Sequence, residues 1–193
     1  MKNILFLFLL MLVQVSCTPR TENTTNQSLQ TKEAPVYFPV TNFIKGQINE
    51  IKGDGINPVK YVTRGNKTDS VWMKITDFDV AFKEFVEPVI DSLQMSNLYD
   101  ASSFSDETLD TYTFTYAIKK DAPDTLALKR WDVYINRSDN KVKSIYLVKQ
   151  TPDDKEKQYT WQSGKWCKTV SIAKDKTGKQ FVEYEETIKW RFD

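Results

Sequence analysis

Residues 111–118 have the sequence TYTFTYAI, in which aromatic and large apolar side chains alternate with threonine and alanine. A period of two is typical of a β-strand that buries one of its faces. Residues 130–135 repeat the alternation, and Ser163-Gly164 predicts a tight hairpin further along the chain. The last segment places on one side Val182, Tyr184, Ile188, Trp190 and Phe192. From about residue 108 onward, the pattern therefore predicts an antiparallel meander of about six strands or more.

Two further regions complete the predicted sheet. Residues 59–63 and 71–75 are short β-type segments, and the turn-forming residues 64–67 between them predict a hairpin. The segment 142–149 is also predicted as a strand, but the pattern does not decide which of its two faces is buried. Two sets of side chains compete for that face, namely Val142, Tyr146 and Val148 against Ile145 and Leu147.

Helical periodicity is confined to the first half of the chain. Residues 40–52 place five large apolar side chains on one face, which predicts a first helix beginning near Pro39. A broader apolar stripe over 78–93 predicts a second helix, with a kink at Pro88. Helices early and strands later predict an α+β fold, in which two helices pack on one face of the antiparallel sheet.

The first seventeen residues have the organisation of a secretory signal. A basic start at Lys2 precedes an apolar run from Ile4 to Val13, which is too short to span a bilayer. The following Val15-Ser16-Cys17 resembles the bacterial lipobox, although Gln14 replaces the leucine usual in that pattern. This resemblance implies cleavage immediately before Cys17, diacylation of its thiol, and attachment to a membrane through that lipid.

The signal divides the chain into three predicted regions. Residues 1–16 are the lipoprotein signal peptide, 17–36 are the lipidated cysteine and a flexible polar tether, and 37–193 are a single α+β domain. The signal, the tether and the general character of the domain resemble the uncharacterised small lipoproteins common in Bacteroidota. This resemblance implies a lipid-anchored protein of the bacterial cell envelope, with the outer membrane as the favoured location, and it implies no activity.

Composition argues against several classes of function. Lys and Arg number 27 and Asp and Glu number 26, which gives no electrostatic reason to expect nucleic acid as a partner. The chain contains no histidine, which removes the commonest general base and most zinc sites. Its six glycines form no phosphate-binding loop. We therefore expect no enzyme activity, no cofactor and no bound metal.

Several side chains remain as candidates for a ligand site. Seven aromatic residues either line a ligand cleft or form the core of the sheet, and all but Tyr134 and Tyr184 are candidate ligand contacts: Trp131, Tyr134, Tyr146, Trp161, Trp166, Tyr184 and Trp190. Glu186 falls on the apolar side of the last strand, where burial would raise its pKa. A bulge at Glu185-Glu186 is the favoured alternative, because it would expose both carboxylates to water. Cys167 is expected to be a small buried side chain rather than a reactive thiol.

The leading functional hypothesis is a non-catalytic binding or assembly module of the cell envelope. The alternative is a carrier that holds a lipid or other apolar ligand between the helices and the sheet. The expected partners are accordingly the membrane and either an unknown envelope protein or an apolar ligand. A sheet with one apolar face would fit the first hypothesis, whereas strands that are apolar on both faces would favour the second.

Overall fold

A nine-stranded antiparallel sheet dominates the computed structural model, which describes residues 37–90 and 92–192. The strands are β1 Val59–Arg64, β2 Lys67–Trp72, β3 Tyr99–Asp106, β4 Thr111–Ile118, β5 Leu128–Asn136, β6 Val142–Gln150, β7 Glu156–Gln162, β8 Trp166–Lys174 and β9 Gln180–Lys189. Their order across the sheet is β2-β1-β9-β8-β7-β6-β5-β4-β3. The predicted signal peptide, lipidation site and tether lie outside the described residues.

The strands from β3 to β9 form a continuous meander, because each pairs with the next one along the chain. The early hairpin of β1 and β2 is added beside β9, so the first and last strands of the chain are neighbours. The antiparallel meander predicted from the sequence is thus confirmed. The second strand of the hairpin covers Lys67–Trp72 rather than the predicted 71–75.

The predicted α+β arrangement with two helices on one face is wrong, because the second helix does not form as a unit. Three short helices lie where the second helix is predicted to begin and end, α2 Phe78–Ala81, α3 Lys83–Val86 and α4 Ser92–Leu98, and a 3₁₀ turn at Ile75–Asp77 precedes them. The backbone at Glu87 is extended, with φ −120° and ψ 141°. Pro88 explains this break, since proline lacks an amide donor and disfavours a helical conformation in the preceding residue. In the described residues the antiparallel sheet is therefore the main element and the helices are few and short.

The first predicted helix is confirmed as α1, which covers Val40–Gly53 and begins after Pro39. Its apolar side chains recur at the spacing of one helical face, and Val40, Ile44, Ile48 and Ile51 are buried. They join the same core as the aromatic residues of the sheet. None of the helices within residues 37–90 and 92–192 is both long and apolar enough to span a membrane.

The two faces of the sheet differ sharply in chemistry. The apolar face carries the core residues Trp131, Ile145, Leu147, Trp161, Cys167 and Ile188. The polar face, on the alternate positions, carries Tyr61, Thr115, Asp132, Tyr146, Thr160, Lys168 and Thr187. Strand β6 accordingly buries Ile145 and Leu147 and leaves Tyr146 only half-buried. The described part of the sheet therefore has one apolar face and one polar face.

Aromatic contacts connect the short helices to the apolar face. The ring of Phe82 lies 5.5 Å from Trp161, and the ring of Phe85 lies 5.3 Å from Tyr159. At the other end of the sheet, Trp131 stacks on Tyr116 with the ring centres 4.6 Å apart. These rings fill the core and hold the segments around Pro88 against the sheet.

Candidate functional site

The aromatic residues singled out in the sequence do not come together in one cleft. Trp131, Trp161 and Trp190 are core residues, with exposed fractions of 0%, 1% and 6%. Trp166 and Tyr146 instead lie half-buried on the polar face of the sheet. Trp131, Trp161 and Trp190 therefore form part of the core. Trp166 and Tyr146 remain candidates for ligand binding.

Glu186 occupies a regular strand position, where it pairs with Val62 on β1 and Thr169 on β8. Its side chain is 28% exposed, and a carboxylate oxygen lies 3.8 Å from the Lys60 ammonium. The expected bulge at Glu185-Glu186 is wrong, since the irregularity in β9 lies at Glu183.

Local hydrogen bonding accounts for the position of the bulge. The Ser171 hydroxyl donates to the Glu183 carboxylate at 3.1 Å, and the Lys155 ammonium donates to it at 2.9 Å. Ser171 is buried, so its hydroxyl needs a partner of this kind. The extra residue in the strand supplies that partner.

Cys167 is buried on the apolar face, with 1% of its surface exposed. Burial raises the pKa of its thiol well above the ordinary value, with a smaller contribution from the nearby Glu186 carboxylate. A thiol that resists deprotonation is a poor nucleophile. The prediction that Cys167 serves as a small buried side chain is confirmed.

An open cavity of about 440 Å³ lies on the polar face, between β2 and β8. The described side chains that line it are Tyr61, Thr68, Trp166, Lys168, Thr187 and Lys189. Strand alternation brings them to the same side, because Lys168 pairs with Thr187 and Thr187 pairs with Tyr61. Of the candidates predicted from the sequence, only Trp166 lines this cavity.

The cavity combines aromatic rings with groups that donate hydrogen bonds. The Lys168 ammonium donates to the Glu185 carboxylate at 3.2 Å, and the Lys189 ammonium lies 5.7 Å from the centre of the Tyr61 ring. The hydroxyl of Thr68 lies 2.9 Å from that of Thr63. These groups can hold a ligand through ring contacts and hydrogen bonds.

A buried carboxylate lies further along the polar face, at Asp132 on β5. Asp132 is only 1% exposed, and it accepts hydrogen bonds from the Thr115 hydroxyl at 2.6 Å and from Nε of Arg130 at 3.0 Å. Its cross-strand neighbour is Tyr146, whose pKa is raised by burial and by the nearby carboxylates of Glu156 and Asp132. This paired charge fixes the polar groups around Tyr146 in place.

The apolar face contains a buried ammonium that the sequence analysis missed. Lys149 continues the buried side of β6 after Ile145 and Leu147, and its Nζ donates to the backbone carbonyl oxygens of Glu84 and Glu87. Nζ also lies 4.5 Å from the centre of the Tyr159 ring. The Tyr159 hydroxyl donates to the Glu84 carboxylate at 2.7 Å. Lys149 thus ties the end of α3 to the sheet.

Burial lowers the pKa of Lys149 from 10.5 to about 8, despite the opposing effect of the Glu84 carboxylate. Between these values the unfolded chain binds more protons than the folded protein, so stability rises as the pH increases. We expect the free energy of unfolding to increase from about pH 8 toward pH 10. Urea denaturation at several pH values should show this increase in the wild type and lose it in Lys149→Met. An equal pH dependence of the free energy of unfolding in both proteins would show that Lys149 is not its cause.

A second cavity, of about 430 Å³, lies between α1 and the short helices. Its apolar lining comes from Ile48, Phe78, Phe82, Val86 and Val89. Charged side chains surround the opening, and among them Lys52 and Asp79 form an ion pair at 2.8 Å. We call this cavity the helix groove.

No family model, curated protein or solved structure matches the chain. Within the part of the chain that the structure describes, no three Cys, Asp or Glu side chains are grouped so that they could hold a metal ion. The polar-face cavity and the helix groove are the two larger cavities described above.

Proposed function

We propose that the chain is a lipid-anchored protein of the bacterial cell envelope, whose folded part is a non-catalytic binding module. The polar-face cavity carries this proposal, because it presents Tyr61 and Trp166 beside the ammonium groups of Lys168 and Lys189. The Val15-Ser16-Cys17 pattern supports the lipid anchor. In this proposal the lipid holds the module at the membrane, and the polar face binds the partner.

The position of Trp166 favours binding over a structural role. The core is formed by side chains on the opposite face of the sheet, where Trp131 and Trp161 are almost fully buried. Trp166 is only partly buried, and it lies next to Lys189 in an open cavity. Ligand pockets are commonly lined by such aromatic side chains together with a few well-placed polar groups.

The helix groove supports a second candidate function, that of a carrier for an acyl chain or another apolar ligand. Its lining combines charged side chains with apolar ones, and the apolar Val89 is 58% exposed. The described residues that line the groove belong to α1, to the short helices and to the segment that follows α3, so an apolar ligand would lie on these segments rather than between helices and sheet.

Native mass spectrometry of the full protein, purified from its own host in mild detergent, tests the binding function. We expect a second molecule to accompany the wild type and to be lost from Trp166→Ala, since that change removes the largest side chain in the cavity. The matched control is Val80→Ala, which changes an exposed apolar residue on α2.

The other outcomes separate the two candidates. A molecule that Trp166→Ala retains, but that Val89→Asp releases, would establish the carrier function in place of binding at the polar face. The absence of any accompanying molecule from the wild type would contradict both.

A further inference from the structure

The register of the sheet aligns the polar-face side chains into a row that runs across the strands. Each member is the direct cross-strand partner of the next. In order from β2 to β3, the row contains Ser70, Tyr61, Thr187, Lys168, Thr160, Tyr146, Asp132, Thr115 and Ser102. The cavity at Lys168 and the Asp132 cluster are therefore parts of one continuous surface, with Thr160 between Lys168 and Tyr146.

Aromatic side chains lie on several strands of this surface, among them Trp72 on β2, Tyr134 on β5 and Phe104 on β3. Tyr61 lies on β1, Trp166 on β8 and Tyr146 on β6, and one strand separates each of them from the next. At the usual spacing of strands in a sheet, successive rings are about 10 Å apart across the sheet. All three side chains are half-buried, so each leaves part of its surface to solvent. The arrangement suits a long ligand that repeats its contacts, since a small compound in the cavity would meet Tyr61 and Trp166 but would not reach Tyr146.

The charges on this surface are mostly paired with each other. Lys168 contacts Glu185, and Arg130 contacts Asp132. A polyanion such as a nucleic acid gains affinity chiefly from cations that are free to neutralise it, so this surface does not favour one. Between the rings lie hydroxyl groups, such as those of Thr160 and Thr187, which can exchange hydrogen bonds with hydroxyl groups of a ligand.

We infer that the polar face binds an extended, uncharged glycan chain, which lies across the strands and contacts Tyr61, Trp166 and Tyr146 in turn. The inference rests on the proposed binding function and adds the chemical class of the ligand. Sugar rings have apolar faces that pack on aromatic side chains, and their hydroxyl groups pair with the polar groups between the rings. A bound peptide would instead use backbone hydrogen bonds at a strand edge, which this face lacks.

The test is calorimetric titration of the full protein with linear oligosaccharides of glucose, N-acetylglucosamine, mannose and xylose. Each sugar is used as a disaccharide, a tetrasaccharide and a hexasaccharide. We expect the affinity for at least one sugar to increase with chain length, because a longer chain reaches more of the aromatic side chains. Tyr146→Ala should weaken hexasaccharide binding about tenfold and leave disaccharide binding unchanged. Trp166→Ala should weaken both.

The matched control is Tyr112→Ala, which removes a 40% exposed tyrosine from the opposite face of the sheet and should leave the affinity unchanged. Binding that is independent of Tyr146 and of chain length would overturn the inference. So would salt-sensitive binding of dextran sulfate in the absence of oligosaccharide binding. If no oligosaccharide binds more tightly than about 1 mM while a Trp166-dependent molecule still accompanies the protein in native mass spectrometry, the glycan assignment is wrong and the binding function stands. If that molecule is absent as well, both are wrong.

Discussion

Replacement of Trp161 by alanine is expected to lower the free energy of unfolding by about 3–5 kcal/mol. Trp161 is 1% exposed, and its ring lies within 5.5 Å of the rings of Phe82, Phe85 and Trp190. Truncation would leave a cavity where the short helices meet the sheet. Urea denaturation followed by circular dichroism measures the change, and it should appear as a lower midpoint at an unchanged slope.

Trp72→Ala provides the matched control for this prediction, since Trp72 is 68% exposed on the edge strand β2. The same chemical change at that site should alter the free energy of unfolding by no more than about 0.5 kcal/mol. Similar losses in the two variants would show that the short helices are not held to the sheet through Trp161.

Cys17→Ser is expected to release the protein from the membrane fraction. The proposed anchor consists of acyl chains on the Cys17 thiol, and each buried methylene group contributes about 0.8 kcal/mol to membrane binding. Serine has no thiol to accept the lipid. The intact mass of the variant should therefore differ from that of the lipidated wild type. Membrane fractionation and intact-mass measurement of the wild type and the variant test both effects.

Cys167→Ala is the control for the anchor, because it removes the other cysteine, which is buried in the domain. That variant should remain in the membrane fraction and keep the lipid mass. A Cys17→Ser variant that stays in the membrane with the mass of the wild type would exclude the lipoprotein assignment.

The strands could be predicted from the sequence because the residues of each strand alternate between the apolar and the polar face of the sheet. In β4, Tyr116 is buried on the apolar face while Thr115 lies on the polar face. The first helix was equally accessible, since the burial of Ile44, Ile48 and Ile51 follows from their spacing. In both cases one local pattern determines both the element and its buried side.

The region 78–93 shows where such patterns fail. Its apolar spacing fits a helix, but periodicity describes side chains and takes no account of a missing backbone donor at Pro88. The break at Glu87 separates residues that the pattern had joined. Phe82 and Phe85 remain in the core, whereas Val89 becomes exposed.

The candidate site lay beyond sequence reasoning for a different reason. Tyr61 and Trp166 share a cavity only because β1 is added beside β9, and no local pattern specifies that pairing. Lys149, by contrast, could have been found, since it continues the alternation of Ile145 and Leu147. A charged residue at a core position of a strand was the available signal.

The place of β9 inside the sheet also sets the order in which the protein can fold. The β1–β2 hairpin can form as soon as its own residues are available, but it has no place to dock until residues 180–189 have been made. The meander can grow strand by strand, whereas this last closure joins strands that are far apart in the sequence and is therefore the costliest single loop closure. Folding should therefore have a late, slow step in which β9 pairs with β8 on one side and with β1 on the other. A chain that lacks β9 would leave the edge of β8 exposed to other molecules.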